Sequence, residues 1–449
     1  MDGFGINKTI IKRDKNGIKK MVLLLAFVTI ISGVFVPSAF EVILFFSSYF
    51  FMVYIAFCMA PSWISSLTVF SMFYSMSFAL GEYYAWKEKY ILYYNPFFLV
   101  LGSFCLVLIG YYFGKKIKLA RLRIKHKRIK FPIVTMNEAL IITFVLSFVM
   151  LGIYLLKNHA ILSGNVQDGR IEAASGNGVF TYIGYLHIMS ISLMMIQCQK
   201  KKLNKMVFIV CFGIAFVQLM LVGFRTPAIT MIIVMLIIQV ENQKMNLRKS
   251  IPLVVILILI IAIYGTMRAN STGSELAMSV YGILRSRLFI GMQNLNYVVG
   301  CFPQKHGFQH GYTYLINFIM LKPGPDLDFT LWLKEMLGFS FSGGGVTPTV
   351  VGEFYLNFGY IGITIGMLLL GFFFARFDRW AISGECGFWK AYLILEFASC
   401  CDGGIANIVL SPIIFAIYYW LMMIFVKDTV YMDVVECATP ILGKGEVVS

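Results

Sequence analysis

The chain has 449 residues, of which 59% are hydrophobic and only 13% are charged. This composition excludes an ordinary soluble globular protein, in which about a quarter of the residues are charged. The net charge of +16 does not point to nucleic acid, because the densest basic run lies between two apolar segments, where such runs set membrane topology and contact lipid headgroups. We therefore expect an integral membrane protein without a nucleic-acid partner.

Apolar runs recur along almost the whole chain. A membrane-spanning helix needs roughly 20 mostly apolar residues, and the sequence predicts about twelve of them. They cover 21–36, 39–59, 62–80, 94–113, 135–156, 179–198, 206–223, 226–240, 251–266, 347–375, 388–402 and 406–426. The first run leads directly into the second without a small-residue cleavage site, which predicts a retained signal anchor. The expected fold is an all-α polytopic membrane protein in which residues 1–449 form a single membrane domain.

The lysines and arginines orient this bundle. Most of the 38 basic side chains fall in alternate loops, the densest being 114–134, and short cytoplasmic loops are enriched in such residues. This pattern predicts that both termini and the loop 114–134 are cytoplasmic. The loops 157–178 and 267–346 are then extracytoplasmic, and the second is expected to contain short helices and to cap the bundle.

Metal or nucleotide chemistry has no local support in the sequence. The chain lacks CxxC, HExxH, Walker and GxGxxG patterns, and its nine cysteines lack metal-ligand spacing. His306 and His310 are four residues apart, but the neighbouring glycines favour a loop and no third ligand is near. We expect no metal and no cofactor.

Arginines in the predicted extracytoplasmic loops are the first candidates for a functional site. A guanidinium group keeps its charge and offers paired N–H donors to phosphate oxygens. Each of these arginines could instead be an interfacial anchor, and Arg285 and Arg287 cannot share one helical face. The candidates for binding an anion are Arg170, Arg225, Arg268, Arg285 and Arg287.

A second group of candidates could move a proton. Glu353 falls within or at the mouth of an apolar run, where a carboxylate is costly unless it is paired or functional. It could be a general base, or it could neutralise an arginine. His310 and His306 are further possible proton acceptors. The glycines around Glu353 are more typical of tight helix packing than of catalysis.

Four segments follow one another along the chain: GFRTPAIT, RANSTGSE, RSRLFIGMQNL and GVTPTVVGEFYLNFGYIG. In this order they resemble the Wzy-type O-antigen polymerases and the related enterobacterial common antigen polymerase, and the resemblance extends from Leu156 to Arg379.

The resemblance implies a metal-independent glycosyltransferase of the bacterial inner membrane, similar in architecture to the GT-C-type lipid-donor enzymes. Its donor and acceptor would be undecaprenyl-diphosphate-linked oligosaccharides, joined at the periplasmic face, and its partners a chain-length regulator and a flippase. The family's loop arginines, which are thought to bind the pyrophosphates, correspond to Arg225, Arg268 and Arg285 or Arg287. An acceptor hydroxyl would need a base, with Glu353 as the first candidate and His310 or His306 as the second.

Two alternatives remain open at this point. An O-antigen ligase, which transfers the glycan to lipid A-core, would share the architecture and would depend on a histidine in the large loop. A lipid-linked oligosaccharide flippase would not be an enzyme, and it would carry charged residues within its helices, where this chain has few.

Overall fold

The computed structural model describes residues 38–117, 131–157, 177–222, 225–243, 252, 280–319, 329–340, 345–381 and 387–427. Within these ranges the secondary structure is helical, apart from one isolated bridge between Val134 and Val426. The protein is therefore an all-α polytopic membrane protein, as the composition predicts. The predicted spans 21–36 and 251–266 lie outside the described residues, except for position 252.

Most of the described helices overlap the predicted apolar runs, and those between residues 280 and 336 lie in the predicted loop 267–346. The described helices are α1 (Ser38–Met59), α2 (Ser66–Tyr74), α3 (Leu80–Lys87), α4 (Gly102–Lys116), α5 (Met136–Lys157), α6 (Gly178–Gly184), α7 (Leu186–Gln199), α8 (Lys205–Leu221), α9 (Arg225–Glu241), α10 (Val280–Cys301), α11 (Thr313–Ile319), α12 (Phe329–Met336), α13 (Val350–Ala381) and α14 (Phe388–Phe425). One π-helical turn, Ser75–Ala79, makes α2 continuous with α3. A second, Phe97–Leu101, leads directly into α4. Six helical segments of the described part are long and apolar enough to cross a membrane: 41–59, 97–116, 136–157, 178–199, 350–381 and 388–425.

The last of these segments is a hairpin. The rings of Tyr392 and Phe415 are 5.1 Å apart and those of Trp389 and Tyr419 are 5.7 Å apart, whereas an unbroken helix would separate the first pair by about 35 Å. The chain reverses at Gly404, whose φ of 77° and ψ of 176° are not helical. The two predicted runs 388–402 and 406–426 are thus the two antiparallel legs of α14.

α13 folds back in the same way at Gly359, where φ is 64° and ψ is −148°. A Cβ atom on Gly362 would lie 2.3 Å from the carbonyl oxygen of Phe354, and one on Gly366 would lie 2.6 Å from the Phe354 ring. These two glycines therefore let the short first leg, which carries Glu353, pack against the long second leg, consistent with the packing role expected of them.

The second leg of α13 runs beside α4 in the same direction. Gly110 faces the backbone of Leu368 and, one turn further, Gly114 faces that of Phe372; a Cβ on Gly110 would lie 2.0 Å from the Leu368 carbonyl oxygen. Where both helices end, Arg379 donates hydrogen bonds to the carbonyl oxygens of Gly114, at 3.1 Å, and Lys115. We call this the basic end of the bundle, and the opposite end, which carries residues 88–96 and 303–312, the loop end.

The buried side chains form two cores. The first joins α1–α4 with α10–α13, and the second joins α5, α7, α8 and α9 with both legs of α14. The tip of the α14 hairpin reaches from the second core into the first, through Cys400, Cys401 and Ala406. Helix α10 confirms the helical spacing predicted within the large loop, and its buried residues Met292, Leu295 and Val298 belong to the first core.

Candidate active site

The tip of the α14 hairpin meets the first leg of α13 at the carboxylate of Glu353, which is 0% exposed. Oε1 accepts a hydrogen bond from the Ala406 amide at 3.1 Å and from the Thr313 hydroxyl at 3.4 Å. Oε2 accepts from the same Ala406 amide at 3.2 Å and from the Ile405 amide. These two amides begin the second leg of α14, where backbone N–H groups lack intrahelical partners, so Glu353 caps this leg from another helix.

A second bond joins the α14 tip to the start of the first leg of α13. The Thr349 amide donates to the carbonyl oxygen of Asp402 at 3.2 Å, just before the first leg of α13 begins. Gly404 sits so close to the carboxylate that a Cβ there would lie 2.4 Å from Glu353 Oε2. We call the contact among Thr349, Glu353, Asp402, Gly404, Ile405 and Ala406 the tip joint.

Asn357 lies one helical turn after Glu353 and attaches the segment 303–312 to the tip joint. Its Nδ2 donates to the Thr313 hydroxyl at 2.7 Å, and its Oδ1 accepts from the Gly311 amide at 2.9 Å. Its carbonyl oxygen accepts from the His310 amide at 3.1 Å. The loop that carries both candidate histidines is therefore fixed to the first leg of α13.

The two histidines differ in their surroundings. His310 is exposed, in the left-handed region at φ 48°, with its ring 6.3 Å from that of Phe358. His306 is half-buried, with its ring 5.7 Å from that of Phe302. The segment between them is not helical, which confirms the loop that the glycines predict. Within the described ranges no three His, Cys, Asp or Glu residues are grouped as metal ligands.

The side chains of the candidate arginines fall outside what the structure describes. Arg225 begins α9 and Arg285 and Arg287 lie in the first turns of α10, but only their backbone is described. Arg170 and Arg268 lie outside the described residues. Lys390 pairs with Glu241 at 2.6 Å, and Glu353 pairs with no arginine among the side chains that the structure describes.

An apolar groove of about 600 Å³ opens beside the tip joint. It begins at Tyr314 and Ile405, next to the partners of Glu353, and continues along the second leg of α13 as far as Phe373. Ile361 and Ile365 lie in its wall and are more than half exposed. A polar centre thus adjoins a surface suited to a hydrocarbon chain.

Sequence reasoning missed three polar partners of this centre. Besides Thr313 and Asn357, Asn317 donates from Nδ2 to the Ala406 carbonyl oxygen at 3.0 Å and to Asn407 Oδ1 at 2.8 Å. The spacing along the sequence could have identified Asn357, because Glu353 and Asn357 are four residues apart and share one helical face. Thr313 and Asn317 have the same spacing on α11.

The family model described as "Putative O-antigen polymerase" matches residues 18–401, which is most of the chain. The chain belongs to this family. No curated protein and no solved structure matches it.

Membership confirms the resemblance to O-antigen polymerases, and the match includes the whole segment Leu156–Arg379 on which that resemblance rests. The family places the protein in lipopolysaccharide biosynthesis, as a multi-pass membrane protein that acts on lipid-linked oligosaccharides. Glu353, His306 and His310 lie within the matched residues. The expected relation to the enterobacterial common antigen polymerase stays a prediction.

Proposed function

We propose that the protein joins undecaprenyl-diphosphate-linked oligosaccharide repeat units into a polysaccharide at the periplasmic face of the inner membrane. The observation that carries this proposal is the family match over residues 18–401. The growing chain is transferred from its carrier to the non-reducing end of a newly delivered unit. A chain-length regulator and a flippase are the partners that such a reaction needs, since the first sets the length of the product and the second supplies the substrate.

The reaction forms one bond and breaks one. A hydroxyl oxygen of the acceptor unit attacks the anomeric carbon of the donor glycan, and the bond from that carbon to the diphosphate breaks. The hydroxyl proton passes to a base and the polyprenyl diphosphate leaves. We propose that Arg225, Arg268 and Arg285 or Arg287 stabilise the negative charge that grows on the leaving diphosphate, with Arg170 as a further candidate. Because guanidinium groups supply this charge, the proposed mechanism uses no metal.

We propose His310 rather than Glu353 as the base. Both oxygens of Glu353 already accept backbone hydrogen bonds and the residue is 0% exposed, so an acceptor hydroxyl could reach it only if the tip joint opened. His310 is exposed and its backbone is fixed to Asn357. A fixed, accessible imidazole can serve as a general base.

The apolar groove supports a lipid-linked donor. Its path from Tyr314 to Phe373 lies beside a leg that is apolar and long enough to cross a bilayer. We propose that it holds the first isoprene units of the carrier, with the diphosphate towards the tip joint. A polyprenyl chain fits this surface because the groove combines an apolar wall with a polar end.

The distribution of charge supports the proposed orientation. Arg376 and Arg379 hydrogen-bond to the end of α4, beside Lys115 and Lys116, and basic residues gather at the cytoplasmic surface. If the basic end lies in the cytoplasm, the loop end faces the periplasm. His310 and the tip joint are then on the periplasmic side.

Deleting the gene and separating the cellular glycans on a gel tests the proposal. A polymerase deletion leaves a single repeat unit on lipid A-core, and reintroducing the gene restores the ladder of long chains. A core without glycan, together with accumulated lipid-linked polymer, would identify a ligase. Repeat units trapped on the cytoplasmic side would identify a flippase, and either result would refute the polymerase assignment.

A further inference from the structure

A second cavity, of about 1060 Å³, lies at the loop end and takes no part in the tip joint. The start of α1, the end of α3 and residues 89–97 form its walls, and Tyr360 closes one side. Its volume slightly exceeds the usual range of small-molecule sites, which is roughly 300–1,000 Å³. The cavity therefore has room for several linked rings.

A buried carboxylate lies in the wall of this cavity. Glu82 is 6% exposed, and its Oε1 accepts a hydrogen bond from the Tyr94 hydroxyl at 2.7 Å. Within the described part of the chain, Oε2 accepts none. Burial raises the pKa of Glu82 to about 8, the Tyr94 bond opposes the shift, and the charge of Glu41 in the facing wall adds to it. A carboxyl group held in this way can accept a hydrogen bond or donate one.

Aromatic rings form much of the remaining wall. Trp86, Tyr93 and Tyr360 are 59%, 66% and 60% exposed, and Tyr90 lies beside them. Such rings present a flat apolar face and, in Tyr and Trp, a polar edge. A sugar ring matches both features, because it has an apolar C–H face for stacking and hydroxyl groups for a carboxylate. A simple anion would need neither the exposed rings nor the carboxylates.

The cavity is linked to the candidate active site through the α13 tip. Tyr360 follows Gly359, and its ring is 5.3 Å from that of Tyr355. The Tyr355 ring is in turn 6.0 Å from that of Phe308, between the two histidines. A chain of sugars that extends from the tip joint over this tip would enter the cavity.

We propose that this cavity is a saccharide-binding site that holds sugar units of the glycan chain away from the reacting bond. Trp86 and Tyr360 stack on the sugar rings, and Glu82 and Glu41 bind their hydroxyl groups. The assignment of the ligand as the protein's own glycan rests on the proposed function. Retention of the chain between transfers would then lengthen the product.

Binding can be measured directly on the full-length protein in lipid nanodiscs, without sugar-based detergents that could occupy the cavity. The probe is the oligosaccharide repeat unit released by mild acid from the carrier lipid of the source cells. Saturation-transfer NMR should show binding, and Glu82→Gln and Trp86→Ala should each weaken it at least tenfold. Trp63→Ala is the matched control, because Trp63 is 74% exposed at the basic end and should leave binding unchanged.

The same variants in cells separate this inference from the proposed function. Trp86→Ala should shorten the glycan ladder while transfer of at least one further repeat unit continues. If deletion shows a polymerase but wild-type protein and Trp86→Ala bind the oligosaccharide equally, the cavity proposal is wrong. Phospholipid that co-purifies with the protein and is lost on changing Lys87 and Lys89 to Ser would also overturn it. Oligosaccharide binding that depends on Trp86, in a protein whose deletion leaves the ladder intact, would support the cavity and refute only the polymerase.

Discussion

The Ala406 amide donates to both carboxylate oxygens of Glu353, at 3.1 Å and 3.2 Å. Glu353 of the α13 hairpin therefore caps the N-terminus of the second leg of α14. A carboxylate at a helix N-terminus satisfies free N–H groups and is favoured by the helix dipole. In a setting that excludes water, the contact also removes the cost of burying an unpaired carboxylate and unpaired amides.

Substitution of Glu353 should lower the stability of the protein, because Glu353 caps a helix and is not the proposed base. Each buried N–H left without an acceptor costs about 1–3 kcal/mol. We expect Glu353→Ala to lower the thermal unfolding temperature of the purified protein strongly, and Glu353→Gln to lower it less because one oxygen remains. Glu138→Gln is the control, since Glu138 accepts the Thr135 amide, at 2.7 Å, at an exposed helix start. A Glu353→Gln protein as stable as wild type but without long glycan chains would identify Glu353 as the base instead.

The adjacent glycines Gly403 and Gly404 provide a matched pair. Gly404 has φ 77° and ψ 176°, a region that is essentially restricted to glycine and costs about 1–3 kcal/mol for other residues. A Cβ there would also lie 2.4 Å from Glu353 Oε2, whereas a Cβ on Gly403 would meet its nearest neighbour, Asn407 Cβ, at 3.7 Å. We expect Gly404→Ala to reduce the unfolding temperature and the yield of folded protein, and Gly403→Ala to preserve both. Equal effects of the two changes would contradict a reversal that requires glycine at 404.

Hydropathy and glycine content together predicted much of this fold. The apolar runs 388–402 and 406–426 are distinct in sequence, and they are the two legs of α14. The reversal of α13 at Gly359 was not predicted, because the run 347–375 is continuously apolar and nothing in its hydropathy marks a turn. Only the backbone angles and the contact of Gly362 with Phe354 show it.

Of the candidate site residues, the structure describes the side chains of Glu353, His306 and His310, and the sequence did not predict how they are arranged. Glu353 stood out because a carboxylate in an apolar run needs a reason. It accepts hydrogen bonds from the backbone amides of residues 405 and 406. The pattern of side chains in a sequence does not indicate which backbone amides will donate to a carboxylate. The cavity around Glu82 was not predicted for a similar reason, because its walls come from segments that are far apart in sequence.

Glu82 should make stability depend on pH. Burial raises its pKa from 4.5 to about 8, so between these values the unfolded chain loses a proton that the folded protein retains. The contribution of this group to stability is full below pH 4.5 and falls as pH rises towards 8, by at most about 1.4 kcal/mol per pH unit. We expect the unfolding temperature of Glu82→Gln to vary less between pH 5 and 8 than that of wild type. Glu138→Gln, which removes an exposed carboxylate, should retain the wild-type dependence; if Glu82→Gln retains it too, Glu82 is ionised in the folded protein.

Filling the apolar groove should impair transfer without unfolding the protein. Ile365 is 55% exposed in the groove wall, and Ile142 is 54% exposed on α5, away from it. We expect Ile365→Trp to reduce the proportion of long glycan chains at normal membrane levels, because the indole occupies the space assigned to the carrier's isoprene units. Ile142→Trp should leave the ladder unchanged. A wild-type ladder from Ile365→Trp would exclude the groove as the site of the carrier lipid.

His310 and His306 should differ in their contribution to the reaction. His310 has a positive φ of 48°, a conformation that Asn tolerates better than most residues, so His310→Asn removes the imidazole and preserves the backbone bond to Asn357. Loss of a general base typically slows a reaction by about 10²–10⁴-fold, so we expect this variant to leave single repeat units on lipid A-core at normal protein levels and with an unchanged unfolding temperature. His306→Asn is the matched change on the same loop, and because His306 packs against Phe302 its ladder should remain long. Long chains from His310→Asn together with their loss in His306→Asn would transfer the role of base to His306, and long chains in both variants would remove the histidines from the mechanism.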